Sequence, residues 1–300
     1  MILQFLKNTF KSYFSQAIYA FLLSFFVFGY VGNIGFADIG KTIYLFFTEG
    51  KSFFFQLMTD SSFAYLYVLP FIVPSFFVFW VLGKKYFFKY KVQQINKYTN
   101  AHIVHDAIEG VFASVSYSLQ TMILVKLAQN GYGRLYENIS DYPIYYLPLS
   151  LIACLLVEDA WFYWVHRSLH HKSIYKYIHA SHHVSIDTTP FTQNAFNFVE
   201  MFLLTIGGLL PTFFIPTYGP LFTAFLLYGG ISNMVAHLGY EFYPSWMLSW
   251  KTTSTHHNMH HQYFDGNYGT HFTFWDKFCK TEFSDYEARF NEIKERAKLK

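Results

Sequence analysis

The stretch from His166 to His183, HRSLHHKSIYKYIHASHH, decides how this chain is read, together with its echo HHNMHH at His256 to His261. Residues three and four apart share a helix face. The spacing therefore predicts that His166 and His170 point one way together, and that His179, His182 and His183 form a second group on one face of one turn. His257, His260 and His261 repeat that second spacing, while His256 lies about 100° around the helix from His257. Three imidazoles on one face make a claw for a metal ion. Neutral imidazole suits Fe, Zn, Cu and Ni, whereas Mg and Ca take oxygen ligands, so the expected occupant is a transition metal. One ion takes roughly four to six ligands, fewer than the histidines spaced in this way, which points to two ions side by side. Without a metal, an interior crowded with imidazoles would repel itself on protonation. His102 and His105 are also three apart, beside Asp106, and read either as ligands or as a polar surface where a loop meets a helix.

The chain around these histidines is apolar and aromatic. Charged residues make up 14 % of it, against roughly a quarter in soluble proteins. The 37 Phe and 25 Tyr bring aromatics to 23 %, as expected of a lipid-bathed protein with wide interfacial belts. The net charge of +3 is too small to imply a nucleic-acid partner, and the lysines sit in short loops rather than in one patch, so none is expected. Cys154 and Cys279 form no disulfide framework.

Outward from the histidines, the apolar runs predict an all-α, integral-membrane helical bundle. About four transmembrane helices and a hydrophobic hairpin are expected, with a cytosolic helical cap that carries the histidine boxes. Tyr13 to Phe36 is long enough to cross the hydrocarbon, and with Lys7 and Lys11 before it reads as an anchor, not a removed leader. Phe63 to Gly83 is a second span despite Pro70 and Pro74, since prolines kink membrane helices more often than they end them. Lys84, Lys85, Lys89 and Lys91 follow it and set the orientation, with this loop and the N-terminus cytosolic. Val111 to Lys126 is either a third span or a helix lying at the interface. Pro143 to Val157 is strongly apolar and runs into Glu158 and Asp159, where the helix either leaves lipid or turns toward a polar interior. Asp159 lies two turns before His166, close enough in angle either to support a ligand from behind or to stand as a helix-end charge. Phe198 to Ala236, interrupted by Pro211, Pro216 and Pro220, suits the hairpin. The charged segment after Phe283 shows no clear apolar stripe and reads as solvated. Residues 1–142 thus read as a membrane-anchor region, 143–283 as the domain that carries the histidine boxes and 284–300 as a charged cytosolic tail.

The landmarks EDAWFYWVHRSLHH, YKYIHASHH, HLGYEFYP, HHNMHHQYFDGNYG and FWDKFCKT, spread over Glu158 to Thr281, are together very specific. They resemble the fatty acid hydroxylase and sterol desaturase superfamily of integral-membrane, diiron, oxygen-dependent enzymes. Within it they most resemble C-4 methylsterol oxidases, with sterol C-5 desaturases close behind. Carried over residue by residue, the resemblance implies metal ligation by His166, His170, His179, His182, His183, His237, His257, His260 and His261. His171, His256, Asp159, Asn197 and Glu241 stand as additional ligands or as supports behind the ligands. Three departures from the pattern bear on that set. Asn197-Phe198 replaces the His-Pro common in sterol members, Glu241 stands where fatty acid hydroxylases have a further histidine, and His171 adjoins His170.

The implied cofactor is a pair of Fe ions, with Zn as a substitute. The implied reaction oxidises an unactivated C–H bond of a sterol-like lipid with O2. Such a bond offers acid–base chemistry nothing to act on. The alternatives are a sterol C-5 or side-chain desaturase and a hydroxylase of fatty acids or other lipids. The chain contains no dinucleotide-binding glycine motif and no haem-attachment motif, so electrons are expected from an external donor of the cytochrome b5/reductase or ferredoxin type. Lys84, Lys85, Lys89 and Arg167 offer that donor a basic docking face. A eukaryotic source implies the endoplasmic reticulum membrane, a bacterial one the inner membrane. A metal transporter would place its ligands near the bilayer midplane, whereas these lie just beyond the apolar runs. A zinc hydrolase would need a general-base Glu beside a His pair, and no HExxH is present.

Overall fold

The computed structural model describes residues 71–94, 98–129 and 131–299, so the expected span at Tyr13 to Phe36 lies outside the described residues. The described chain is helical apart from one short strand pair. The helices are α1 (Phe71–Leu82), α2 (Lys84–Tyr90), α3 (Asn100–Gln129) and α4 (Tyr146–Leu169), then α5 (Tyr175–Ile178), α6 (Phe198–Leu209) and α7 (Pro211–Phe214). They continue with α8 (Gly219–Ala236), α9 (Ser254–Tyr263), α10 (Phe274–Phe278) and α11 (Tyr286–Lys298). Two strands, β1 (Leu135–Tyr136) and β2 (Thr217–Tyr218), pair in parallel with Leu135 opposite Thr217.

That small pairing fixes the direction of the two longest apolar helices. β1 leads toward α4 and β2 runs directly into α8, so the N-terminal ends of both helices are held together. The two helices therefore run the same way, and their C-terminal ends carry His166, His170 and His237 to one end of the bundle. α4 is about 36 Å long at 1.5 Å per residue, enough for the hydrocarbon core. The chain returns between them through α6 and α7, the shorter apolar pair. Leu149, Ile152 and Leu156 on α4, and Leu227 and Ile231 on α8, face outward and exposed. Such contiguous apolar surface belongs in lipid.

Among the described residues, two helices, α4 and α8, are long and apolar enough to cross a membrane, or three if α1 and α2 form one bent span. The expected count of about four is not reached within this region. The break between α1 and α2 is an 81° bend at Gly83 and not at Pro74, which α1 accommodates. A Cβ on Gly83 would overlap the Val78 carbonyl. Val111 to Lys126 falls inside α3, which is not one of the helices apolar enough to span. α3 packs along α6 through buried polar contacts, Ser116 Oγ donating to the Phe198 carbonyl and Thr205 Oγ1 to Gln120 Oε1.

The helix from Pro143 onward does not end at the carboxylates. α4 continues about three turns past Glu158, and Asp159 turns into a polar interior, 2 % exposed. The expectation of a solvated tail is likewise corrected. In α11, Tyr286, Phe290 and Ile293 recur at i, i+4 and i+7 and are buried, Tyr286 and Phe290 packing on Met259 of α9. The stripe is narrow and set among charges, so composition hid it. Arg296 and Arg289 also donate to backbone carbonyls of Lys89, Lys91 and Val92. Phe290→Ala is expected to destabilise the protein by about 3 to 5 kcal/mol through lost burial and cavity formation. A solvated tail would instead leave thermal unfolding unchanged.

Candidate metal centre

Three short segments and one helix end deliver the histidines. His166 lies in the last turn of α4 and His170 caps it one turn later. The chain then makes the single turn α5, places His179 at its end, and enters a 3-10 turn over His182–Val184. His237 caps α8. α9 begins at Thr253, whose hydroxyl accepts from the His256 backbone N–H, and ends where Phe264 turns left-handed at φ 71°. Beyond His237, Gly239 takes φ +81°, and a Cβ there would lie 2.8 Å from the Thr188 carbonyl, so the tight turn that frees the helix end requires glycine.

These segments gather nine imidazoles into two adjacent groups. His166, His170, His179, His183 and His260 form one, and His182, His237, His257 and His261 the other, with one ring nitrogen of each residue within 4.8 Å of all the rest in its group. The claws read from the sequence are therefore divided. His182 parts from His179 and His183, and His260 parts from His257 and His261. The reason is angular: along α9, His257 and His261 lie about 40° apart, while His260 lies about 100° from His261, on the other flank. The 179–183 segment is two short turns rather than one continuous helix, which gives the same division.

Hydrogen bonds on the outer nitrogens show which way the rings are set. Nδ1 of His166 donates to the Tyr268 carbonyl at 2.8 Å, Nδ1 of His260 to the Gly266 carbonyl at 2.7 Å, and Nδ1 of His237 to the Asn233 carbonyl at 2.8 Å. Nδ1 of His182 donates to the Ala195 carbonyl at 3.3 Å. A carbonyl only accepts, so each of these Nδ1 atoms carries the proton and each Nε2 presents a lone pair. The Nε2 atoms face one another, at 3.2 Å between His166 and His179, 3.2 Å between His170 and His183, and 3.4 Å between His182 and His237. For His182 and His237, whose outer protons are both placed on carbonyls, lone pairs opposed at that separation repel unless a cation lies between them. His260 Nε2 and both ring nitrogens of His261 are buried with no hydrogen-bond partner. Among the described residues the donor set is all imidazole nitrogen, with no hard oxygen ligand, and it fits divalent iron or zinc.

Burial first, and then mutual repulsion, hold the rings neutral. His179, His183, His257, His260 and His261 sit well below the ordinary imidazole pKa for both reasons, and so does His182. His170 is pushed down to about 2 by burial and by His166, and His237 to about 4 by burial. Neutral imidazole is the form that binds metal.

Five other residues singled out from the sequence lie outside both groups. His171 accepts from the Ser173 backbone N–H, so it is His170 that joins a group. His256 faces Asp276 at 3.5 Å and packs on Tyr286. Asp159 supports no cluster histidine and instead accepts from the backbone N–H groups of His271 and Phe272. Asn197 caps α6 by accepting from Val199. Glu241 accepts from the backbone N–H groups of Thr255 and Tyr243 and so orients the start of α9. His102 and His105 are also outside, with His105 beside Asp106 and Glu109.

Two acids that do act on the groups escaped the motif reading. Glu200 hydrogen-bonds His179, and Asp276 ties down the loop whose Tyr268 carbonyl orients His166. The signal for Glu200 was its lone charge in the apolar run FNFVEMFLL, since an acid in such a run is costly and marks a site.

The fatty acid hydroxylase family profile matches residues 151–281, the region that contains both groups. The chain is 34 % identical over 162 residues to lathosterol oxidase of Mus musculus, which covers 53 % of this chain and 54 % of that one. It is 27 % identical over 215 residues to a Delta(7)-sterol 5(6)-desaturase of Gibberella zeae, covering 72 % and 64 %. A Dictyostelium discoideum protein that carries the name methylsterol monooxygenase is 30 % identical over 228 residues, covering 75 % of this chain and 82 % of its own. The chain thus spans about half the length of the lathosterol oxidases it matches. No solved structure matches it.

Proposed function

This chain belongs to the fatty acid hydroxylase family, and from that membership we propose that it is a membrane-bound diiron oxidase of a sterol-like lipid. The reaction put forward is C-4 methylsterol oxidation, with sterol C-5 or side-chain desaturation and fatty acid hydroxylation as alternatives. The observation that carries this reading is the pair of imidazole groups on which nine ring nitrogens converge, with the Nε2 lone pairs of His182 and His237 opposed.

His166, His170, His179, His183 and His260 would hold one iron, and His182, His237, His257 and His261 the other. A pair of irons supplies O2-dependent oxidation of an unactivated C–H bond, which no side chain can perform alone. The protein's own part is to orient and to exclude water. The carbonyls of Tyr268, Gly266, Ala195 and Asn233 fix four rings by accepting their outer protons, and this support from behind sets the direction of each ligand. Every one of the nine is at least half-buried, and eight are fully so. An apolar groove of about 640 Å³ runs beside α4, lined by Trp161, Val165, Leu203, Leu169 and Ile178, and the last two directly precede His170 and His179. Its size and lining suit a lipid.

Electrons come on this reading from a separate donor of the cytochrome b5 or ferredoxin type, which docks on the basic face at Lys84, Lys85, Lys89 and Arg167. Replacing Lys84 and Lys85 by Glu is expected to lower turnover with the natural donor, and unchanged steady-state kinetics would remove the docking idea. For the function itself, the chain is expressed in a strain lacking C-4 sterol demethylation and the sterols are read by mass spectrometry. Consumption of 4-methyl sterols is expected. Accumulated 4-methyl sterols that never disappear would turn the assignment to the C-5 or side-chain reactions.

A further inference from the structure

One carboxylate touches the metal centre from behind. Glu200 stands in the first turn of α6, between Val199 and Met201, and is 0 % exposed. Its Oε1 accepts from Nδ1–H of His179 at 2.5 Å. Its Oε2 is buried and makes no hydrogen bond. At the N-cap of α6 the Asn197 side chain accepts from Val199 and the Glu200 carboxylate also faces the Asn197 backbone N–H; His179 is the side chain that Glu200 holds.

The contrast with the other rings gives this contact its meaning. His166 and His260 in the five-histidine group, and His182 and His237 in the four-histidine group, lean on backbone carbonyls. A carbonyl is a neutral acceptor. A carboxylate carries a full charge, and hydrogen bonds to it are roughly twice as strong. Glu200 therefore makes His179 the better donor at Nε2 and places negative charge behind the five-histidine group, without itself entering the ligand set. Two divalent ions in a cage of neutral imidazoles repel each other, so the charge behind one group bears on which of them fills first. Metal in turn offsets the burial of an acid that otherwise has no cationic partner at its side chain.

Resting on the two-metal reading above, we infer that Glu200 is a positioning residue of the metal centre, which fixes His179 with its lone pair inward and makes the five-histidine group the tighter of the two metal sites. The test uses the full chain purified in detergent, stripped of metal and titrated with Co(II), whose visible absorption reports ligand binding. The parent is expected to fill in two phases. Glu200→Gln is expected to weaken the tighter phase by about 10- to 100-fold and to leave the weaker phase within about twofold. Glu200→Asp, which keeps the charge on a shorter arm, is expected to recover part of the lost affinity. A parent-like titration of Glu200→Gln, an equal weakening of both phases, or a shift confined to the weaker phase would overturn the inference. Should Glu200→Gln not purify, Glu200→Asp alone decides, a severalfold weaker first phase supporting the inference and a parent-like one overturning it. A parent protein that binds no cobalt defeats the two-metal reading itself, which is a different result from an altered order of filling.

Discussion

Alanine at His261 is expected to reduce product formation on the order of a hundredfold or more, with the protein still folded and with metal lost from the four-histidine group alone. The size follows from comparison: disturbing a residue behind a metal ligand already costs about 10- to 100-fold, and removing a ligand costs more. His261 is the informative choice because it is fully buried and neither of its ring nitrogens has a hydrogen-bond partner. No structural hydrogen bond is lost with the side chain. A purely structural histidine would be expected to bond to something, whereas this one faces the rings of His182, His183, His237, His257 and His260. Metal content by mass spectrometry and product formation on the same preparation check the prediction. Turnover within about tenfold of the parent, with unchanged metal, would mean that the four-histidine group is not part of the reaction centre.

The second large effect is expected at Asp276, and it falls first on stability. Its carboxylate is buried and accepts from the Tyr268 and Gly269 backbone N–H groups at 2.9 and 2.7 Å and from Thr281 Oγ1 at 2.7 Å. Alanine there leaves two backbone donors buried and unpaired, each costing about 1 to 3 kcal/mol, so roughly 4 kcal/mol in all is expected by that count. The effect does not stop at the loop. Gly266 and Tyr268 provide the carbonyls that orient His260 and His166, and a loosened loop lets both rings turn. The five-histidine group is therefore expected to lose metal affinity even though Asp276 touches none of its members. Asp276→Asn retains an acceptor oxygen and is expected to recover part of the melting temperature. If Asp276→Ala melts like the parent and holds its metal, the loop is positioned by something other than this carboxylate.

Much of the centre was legible along the chain because its signals are local. Histidines at three- and four-residue spacing in two short stretches single out eight of the nine imidazoles that the fold gathers, and resemblance adds His237. Apolar run length marks α4 and α8 in the same way, since a membrane helix is a property of consecutive residues. The buried stripe of α11 was not legible. Three apolar residues among charges look like a solvated helix until a partner surface, here Met259, is placed against them.

By itself, then, the sequence determined that imidazoles would crowd one end of an apolar helical bundle, a donor set that suits a transition metal rather than Mg or Ca. Tertiary structure alone decided how they are shared: five and four instead of two claws and a pair, His170 and not His171, and Glu200 brought from 21 positions away onto His179. The physical reason is that helical spacing fixes the angle between neighbours on one element, whereas a metal site is a point where several elements meet. Which flank of α9 faces which group depends on the packing of α4, α8 and the loop after α9, and no local pattern records that.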